Sequence, residues 1–445
     1  MHTLLERLLQ ADRRLVAPIG GSPKTSFADA YDLTKLNDYE RSAYFMAYRA
    51  SKLGHALENT CMDDVTVCKC FGLESFTVED GSAHIREGSI SSEADLAWLR
   101  QQTPLRSPIV EHYVQPVRVF NRLATESQPK LSSKLIGGGC FGPFTVAGAM
   151  MGVNEIAARV MTDPGFVEQL IEIITEFIIG LAQRCAEHGA EFFWIAEPLA
   201  IMLSGDDFTR LSGAAIQRIF ASVPVYGFLH VCGDTTRLLP QLAATGAACL
   251  SVDYQVDMRD AAHRFPPEMV LMGNTNPVFV QQSGQAEVEA TVRRMYGSMR
   301  HFPNWIVSTG CLLPGDTPIE NVNVFFAMAE YFPLQTPEFY RAVNELWHAM
   351  SLEQGPPDLV EIAGQQSDPV FLAALEETCV NWGRRFARRQ IYLPQFLQKL
   401  QGLQQLLQAR PNCVHGELWL EDQVFPLEQI KQGLIQVMMQ TYKQA

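Results

Sequence analysis

His230, Cys232 and Cys311 are the residues whose types and spacing point most directly to chemistry. Side chains two residues apart on a strand face the same side, so His230 and Cys232 could act together. One imidazole and two thiolates form a three-ligand set for Zn²⁺ that leaves a fourth position open for substrate. Spacing alone leaves a second interpretation open, in which the histidine and the cysteines are ordinary buried residues.

The other cysteines give a weaker signal. The ten cysteines of the chain include a cluster at Cys61, Cys68 and Cys70. Neither a histidine nor a further cysteine pair accompanies this cluster at zinc-finger spacing, so packing is the favoured interpretation. The start of the sequence has no basic segment followed by an apolar run. Without such an export signal, we expect reduced thiols and a cytoplasmic protein.

The elements that would position these residues alternate between short β-rich runs and longer amphipathic stretches, from about residue 15 to 330. This alternation is typical of βα units around a parallel sheet. Eight units favour an α/β protein with a closed (β/α)8 TIM barrel, and an open doubly wound sheet is the alternative. The predicted strands are Leu15–Gly20, Val65–Cys70, Lys134–Gly139, Phe192–Glu197, Val225–Cys232, Ala248–Asp253, Met269–Gly273 and Trp305–Thr309.

Two regions depart from this alternation. The region from Phe76 to Glu126 indicates a hairpin around Asp80–Gly81 and two helices, inserted after the second strand. Beyond about residue 345 the pattern is helical and rich in Gln and Leu. The sequence therefore predicts a barrel over residues 1–340 and a helical appendage over residues 345–445.

Carboxylates end two of the predicted strands. Glu197 closes the fourth strand and Asp253 closes the sixth. The carboxyl ends of barrel strands form the mouth at which barrel enzymes carry their active sites. His230 and Cys232 end the fifth strand and Cys311 follows the eighth, so all five residues belong at one mouth. Glu197 and Asp253 are therefore candidate catalytic residues, either as a fourth zinc ligand or as substrate contacts.

Several motifs in the barrel region resemble the uroporphyrinogen decarboxylase-like superfamily, and within it the methylcobamide:coenzyme M methyltransferases. The resemblance covers about residues 10–335, and its motifs are Phe141–Gly148, Leu229–Thr235, Leu250–Asp253, Gly273–Pro277, Ser308–Cys311 and Pro314–Asn321. In the methyltransferase branch the matching His, Cys and Cys bind zinc, and this sequence retains all three. Gly142, Thr145 and Asn274 lie in these motifs and are candidate cofactor-binding residues, although Asn274 also suits a loop hydrogen bond.

The resemblance implies methyl transfer from a methyl-corrinoid, presented by a separate carrier protein, to a thiol or comparable acceptor bound on Zn²⁺. A first alternative is metal-free decarboxylation of a tetrapyrrole. Against it, the arginine-bearing segment of the decarboxylases has no counterpart after Leu15–Gly20. A second alternative is a non-catalytic subunit that binds a corrinoid carrier.

A further resemblance lies in the appendage. Residues 358–408, with the motifs Asn381–Phe386 and Ile391–Phe396, resemble the helical cap of corrinoid-carrier modules, and a generic helical hairpin is the alternative. The corrinoid-binding half, with its DxHxxG motif, has no match here, since His415 lies in a different context. We therefore expect the corrinoid on a partner protein.

The charge balance limits the other partners. The net charge is -14, and binding nucleic acid through its phosphates requires clustered Lys and Arg. The sequence has no run of about 18 uninterrupted apolar residues, the length that indicates a membrane helix. We therefore expect neither a nucleic-acid partner nor a membrane span.

Overall fold

A computed structural model gives the fold of the chain except for residues 1–2, 12, 21–35, 80, 333, 353–355, 357, 389, 392, 411–412, 415–416, 421–422 and 445. The described chain divides into two units, Met1–Leu334 and Gln335–Ala445. The described strands of the first unit are β1 (Leu57–Asn59), β2 (Ser75–Thr77), β3 (Ala83–Ile85), β4 (Leu135–Phe141), β5 (Phe192–Ala196), β6 (Tyr226–Val231), β7 (Cys249–Val252), β8 (Val270–Thr275) and β9 (Trp305–Thr309).

Helices follow most strands of the first unit. Those of more than three residues are α1 (Leu4–Leu9), α2 (Asp38–Tyr48), α3 (Asp64–Cys70), α4 (Glu93–Leu99), α5 (Pro108–Glu126), α6 (Pro143–Met151), α7 (Val153–Thr162), α8 (Pro164–Glu187), α9 (Ala214–Ala221), α10 (Leu239–Ala243), α11 (Met258–Arg264), α12 (Pro277–Gln282), α13 (Gln285–Met299) and α14 (Ile319–Tyr331). A π-helical turn, Arg49–Leu53, continues α2. The long helix α8 begins with Pro164 at its first position and buries an apolar stripe that includes Val167, Leu170 and Ile174.

Seven strands form one parallel sheet in the order β1-β4-β5-β6-β7-β8-β9, and the chain between α1 and α2 closes it. The Ala17 N–H donates to the Val307 carbonyl and the Val307 N–H donates to the Leu15 carbonyl, both at 2.9 Å. On the other side, the Ala56 N–H donates to the Val16 carbonyl at 2.9 Å. Eight parallel segments therefore surround one interior, and the predicted (β/α)8 barrel is confirmed.

Two of the eight predicted strands differ in the structure. Val65–Cys70 was expected to be a strand and is helical, within α3; the second barrel strand is β1. The Asp63 side chain accepts a hydrogen bond from the Thr66 N–H at 2.7 Å, which caps the helix. The prediction was wrong because β-branched residues favour strands, whereas here a helix cap and the burial of Val67 decide. The predicted first strand, Leu15–Gly20, pairs with its neighbours only through isolated bridges.

The predicted insertion is present. Strands β2 and β3 pair as an antiparallel hairpin, and α4 and α5 follow it before β4 begins. Gly81 lies between the two strands with a positive φ of 85°, a conformation that favours glycine at a turn. The insertion therefore follows the helix α3 that ends the β1 unit.

The interior of the barrel is filled by side chains from α1 and from the inward faces of the strands. Leu4 and Leu8 of α1 are buried in the same apolar cluster as Phe192 and Trp194 of β5. A Cβ atom added at Gly137 of β4 would lie 2.7 Å from the Phe192 ring. The glycines of β4 thus give the aromatic side chains of β5 room inside the barrel.

The second unit is mostly helical. Its described helices are α15 (Pro337–Ser351), α16 (Leu359–Gln365), α17 (Asp368–Ala387), α18 (Leu393–Gln408) and α19 (Leu427–Gln444). It also contains an antiparallel sheet that the sequence did not predict, formed by β10 (Cys413–Val414), β11 (Glu417–Leu420) and β12 (Gln423–Pro426). The prediction missed it because such short strands resemble the loops between helices. His415 lies outside the described residues.

Within the described residues, no helix combines the length and the apolar composition that crossing a membrane requires.

Candidate metal centre

Two strand ends bring the predicted metal ligands to one place. His230 is the penultimate residue of β6 and Cys232 follows that strand directly. Cys311 comes two residues after the end of β9. Strands β7 and β8 lie between β6 and β9 in the sheet, so the curvature of the closed sheet brings the two ends together.

The three side chains are within coordination distance of a common point. His230 Nε2 lies 3.2 Å from Cys232 Sγ, and Cys232 Sγ lies 3.7 Å from Cys311 Sγ. One ligand atom from each residue lies within 4.8 Å of the other two. Zinc bonds of about 2.0–2.3 Å in tetrahedral geometry separate ligand atoms by roughly 3.3–3.8 Å. The residues present therefore fit a Zn²⁺ ion without rearrangement of the strands.

Ser251 of β7 orients the imidazole. His230 Nδ1 lies 3.0 Å from the Ser251 hydroxyl and 3.2 Å from the Ser251 carbonyl oxygen, and the ring is 5% exposed. A hydrogen bond from Nδ1–H to this carbonyl leaves Nε2 with a free lone pair. Metal-binding histidines usually have such a partner on the second nitrogen.

The two thiols differ in acidity. Interactions with Cys232 and with the His230 imidazole lower the pKa of the Cys311 thiol. The hydrogen bond to Cys311, burial and the nearby Asp253 carboxylate raise the pKa of Cys232. The lowered pKa favours the thiolate of Cys311, which is the form of cysteine that binds a metal.

Glu197 is held at the start of a helix. Its side chain is fully buried and accepts hydrogen bonds from the Phe144 N–H at 2.9 Å, the Thr145 N–H at 3.0 Å and the Ser212 hydroxyl at 2.9 Å. Burial raises its pKa, and these hydrogen bonds oppose the increase. A Cβ atom at Gly142 would lie 2.4 Å from the carboxylate. The motif around Gly142 and Thr145 is thus shaped to receive Glu197 at the N-terminus of α6.

Asp253 follows β7 directly, and Asn274 is the penultimate residue of the neighbouring strand β8. Asp253 is 3% exposed and accepts a hydrogen bond from the Gln255 N–H at 3.0 Å. Asn274 donates to the carbonyl oxygens of Asp253, at 3.0 Å, and Val256, at 2.7 Å. Asn274 therefore fixes the loop that carries Asp253.

A cavity of about 370 Å³ opens beside His230, Cys232 and Cys311. Its wall includes Arg49, Asn59, Asp63 and Trp194, to which the sequence assigned no role, and Phe141, the first residue of the motif Phe141–Gly148. Asn59 was missed because the second strand was predicted in the wrong place. Trp194 lies in a correctly predicted strand. Side chains two residues apart on a strand share a face, so Trp194 and Ala196 both face the barrel interior.

The cluster of Cys61, Cys68 and Cys70 is separate from the metal centre. Cys68 and Cys70 are buried in α3, and burial raises the pKa of both thiols. Cys61 follows β1, borders the cavity, and burial raises its pKa to about 12. None of the three belongs to the potential metal-binding group found among the described residues.

The family follows from this fold and from the sequence. The family model described as Uroporphyrinogen decarboxylase (URO-D) matches residues 49–332, which contain the strands β1 to β9 and all three candidate ligands. The chain belongs to the uroporphyrinogen decarboxylase family.

Relatives within this family include enzymes of two kinds. A methylated-thiol–coenzyme M methyltransferase of Methanosarcina mazei is 26% identical over 197 residues, 43% of this chain and 52% of the relative. A methylcobamide:CoM methyltransferase of Methanosarcina barkeri is 27% identical over 201 residues, 44% of this chain and 58% of the relative. The chain thus spans little more than half the length of these methyltransferases. A uroporphyrinogen decarboxylase of Nostoc sp. is 25% identical over 281 residues, 60% of this chain and 76% of the relative.

A solved structure supports the fold. A methyltransferase from Methanosarcina mazei superposes with a TM-score of 0.59 at 21% identity, over 75% of this chain and 99% of that protein.

Proposed function

We propose that this chain is a zinc-dependent methyltransferase that moves a methyl group from a methyl-corrinoid to a thiol or similar acceptor. The observation that carries the proposal is the convergence of His230, Cys232 and Cys311 within 4.8 Å at the barrel mouth. A three-ligand site is typical of catalytic zinc, which keeps one position for substrate. The names of the methyltransferase relatives, with a methylated thiol, a methylcobamide and coenzyme M, support the same chemistry.

A Zn²⁺ ion held by His230, Cys232 and Cys311 would lower the pKa of an acceptor thiol bound in its open position and would favour the thiolate at neutral pH. The residues of the chain prepare this site. Ser251 orients the imidazole of His230, which leaves Nε2 for the metal. Cys232 and Cys311 add negative charge to the site. In this proposal the acceptor binds in the cavity beside them.

The remaining polar residues take different parts in this proposal. Glu197 is a positioning residue, because its hydrogen bonds hold the start of α6 against the end of β5. Gly142 and Thr145 act with Glu197 in that contact. Asp253 is the proposed contact to the acceptor, or the fourth ligand in the resting enzyme. Asn274 holds the loop of Asp253.

The methyl donor is proposed to reach the barrel mouth on a separate corrinoid carrier protein. The part of Gln335–Ala445 that the structure describes has helices and three short strands in place of βα alternation. We propose that residues 358–408, which contain α16, α17 and α18, help to bind the carrier. A cytoplasmic location completes the proposal, since the cysteines that the structure describes are free thiols.

Decarboxylation of a tetrapyrrole is the second candidate function. The Nostoc decarboxylase favours it, because that relative aligns over a longer part of this chain than the methyltransferases do. A tetrapyrrole with several carboxylates needs several cations to bind it. Along the described wall of the cavity, Arg49 is the single arginine or lysine, and its guanidinium already binds Glu58.

Metal analysis and turnover test the two candidates together. Purified, reduced protein should contain about one Zn²⁺ per chain and should transfer methyl groups from methylcobalamin to a thiol. Conversion of uroporphyrinogen should be absent. Protein that contains no zinc and cannot be loaded with it would overturn the proposal, as would decarboxylation that proceeds in a zinc-free preparation.

A further inference from the structure

We propose that the acceptor site selects a thiol with an uncharged apolar or aromatic body, and that it discriminates against short anionic thiols. The inference rests on the proposed function and specifies its acceptor. Three features of the cavity beside the candidate metal centre support it. These are a row of aromatic rings, a set of aliphatic side chains, and the hydrogen bonds between Arg49 and Glu58.

A row of aromatic rings leads through the barrel interior to the metal centre. The Phe192 and Phe228 rings lie 4.7 Å apart between centroids. The Trp194 ring stacks on Phe228 at 6.0 Å and on the His230 imidazole at 6.2 Å, at interplanar angles of 28° in both cases. Phe141, Phe192 and Trp194 all border the cavity. A ligand whose sulfur lies at the metal therefore meets aromatic faces with the rest of its body.

Aliphatic side chains cover other parts of the wall. Ile19, Leu57, Met272 and Leu312 border the same cavity. Leu312 is 63% exposed and follows Cys311 directly, so its side chain can become buried when a ligand binds. Burial of apolar surface favours binding. These contacts favour an acceptor with an apolar body.

The cavity's charged residues offer little to an anion. Arg49 Nε donates to both carboxylate oxygens of Glu58, at 3.1 and 2.9 Å, and Arg49 Nη2 also donates to this carboxylate. Glu58 is fully buried beside the guanidinium, and burial raises its pKa to about 7, so its carboxylate neutralises Arg49 above that pH. Asp63, which also borders the cavity, is an additional negative group. Burial lowers the pKa of His55 well below its usual value, so this residue is neutral at pH 7.

An anionic acceptor would therefore meet a paired arginine, a carboxylate and a largely apolar wall. Removing an anion from water without a cationic partner is costly. An uncharged acceptor avoids this cost and gains the apolar contacts. Glu58 therefore contributes to specificity through Arg49, although Glu58 itself does not line the cavity.

The binding of methylated products tests this selectivity without requiring a metal. We would compare benzyl methyl sulfide with methylthioethanesulfonate by calorimetry, using the full chain both zinc-loaded and metal-free. Benzyl methyl sulfide should bind at least about ten-fold more tightly, a typical discrimination for an apolar pocket. The parent thiols, benzyl mercaptan and mercaptoethanesulfonate, should show the same order with zinc-loaded protein.

Variants identify the residues responsible. Trp194→Phe should weaken binding of the benzyl sulfide by about two- to ten-fold, because it removes part of the aromatic wall. Trp98→Phe is the matched control, because Trp98 is 39% exposed in α4, and it should have no effect. At pH 8, where the Glu58 carboxyl is ionised, Glu58→Gln removes the charge that neutralises Arg49. Measured at that pH, the variant should bind the sulfonate more tightly and the benzyl sulfide with unchanged affinity.

The outcomes separate this inference from the proposed function. Preference of the metal-free and zinc-loaded protein for the sulfonate, with no gain in Glu58→Gln, would overturn the inference whatever the zinc content. Absence of zinc would overturn the proposed function. The relative affinities of metal-free protein for benzyl methyl sulfide and methylthioethanesulfonate would still test the selectivity of the cavity.

Discussion

The Sγ atoms of Cys232 and Cys311 lie 3.7 Å apart although the two residues are 79 positions apart in the sequence. One follows β6 and the other follows β9, with β7 and β8 between them in the sheet. Barrel closure is what brings the two thiols together, since the ends of these strands would be far apart in a flat sheet. The cluster of candidate metal ligands is therefore a consequence of the closed fold, and its binding of zinc can be tested separately from fold stability.

Cys311→Ala should remove or strongly weaken zinc binding and leave the barrel folded. The side chain lies beyond the end of β9 and is partly exposed, so it contributes little to the core. Metal content by mass spectrometry and secondary structure by circular dichroism would be measured. Cys379→Ala is the matched control: this cysteine is fully buried in α17, so the change should lower stability by about 1–2 kcal/mol and preserve the zinc. Full zinc occupancy in Cys311→Ala would contradict the assigned ligand set.

Ser251→Ala should weaken zinc binding about ten-fold, since partners of a ligating histidine typically contribute 10- to 100-fold to metal affinity. The Ser251 carbonyl oxygen remains near Nδ1 of His230, which places the expected effect at the lower end. A competition titration with a chromophoric chelator would give the affinity. Ser298→Ala, which removes a hydroxyl that donates to the Met295 carbonyl in α13, should leave the zinc affinity unchanged. Equal affinities for both variants would show that the hydroxyl does not orient the imidazole.

Glu197→Gln should lower the free energy of unfolding by about 1–3 kcal/mol, because an amide NH₂ cannot accept hydrogen bonds that a carboxylate oxygen accepts. The affected donors are the backbone N–H groups of Phe144 and Thr145 and the hydroxyl of Ser212. Urea unfolding would measure the loss. Glu191→Gln affects a partly exposed pair with Arg7 and should cost less than about 1 kcal/mol. A loss of methyl transfer in Glu197→Gln with unchanged stability would instead indicate a direct role in the reaction.

Glu58 should make the stability of the first unit depend on pH. Burial raises its pKa from 4.5 to about 7, against the opposing effect of Arg49. At pH values between 4.5 and about 7, Glu58 is therefore protonated in the folded chain and ionised in the unfolded chain. The contribution of Glu58 to stability is therefore present at low pH and decreases as the pH rises toward about 7. Urea midpoints measured from pH 5 to 8 should show a smaller decrease in Glu58→Gln, and identical profiles would contradict the raised pKa.

Much of the barrel was predictable from local patterns. The strand at Trp305–Thr309 was predicted with its observed limits, and those at β5 and β6 agree within one residue at each end. These strands are buried on both faces and form short apolar runs. The helix at Asp64–Cys70 was not predicted, because its Val-Thr-Val run favours a strand and only the cap at Asp63 and the packing of Val67 outweigh that preference.

For the site, the sequence determined the residue types and their positions at strand ends. The spacing of His230 and Cys232 required only the two-residue period of a strand, and the resemblance of the motif around Cys311 added the third ligand. The tertiary structure decided the hydrogen-bond partners of the carboxylates: Glu197 and Asp253 both follow strand ends, yet Glu197 accepts hydrogen bonds from the first turn of α6. It also decided which side chains border the cavity, and that Arg49 donates hydrogen bonds to Glu58. A sequence pattern gives the direction of a side chain relative to its own strand, whereas hydrogen-bond partners and charge pairing depend on which other segments lie beside it.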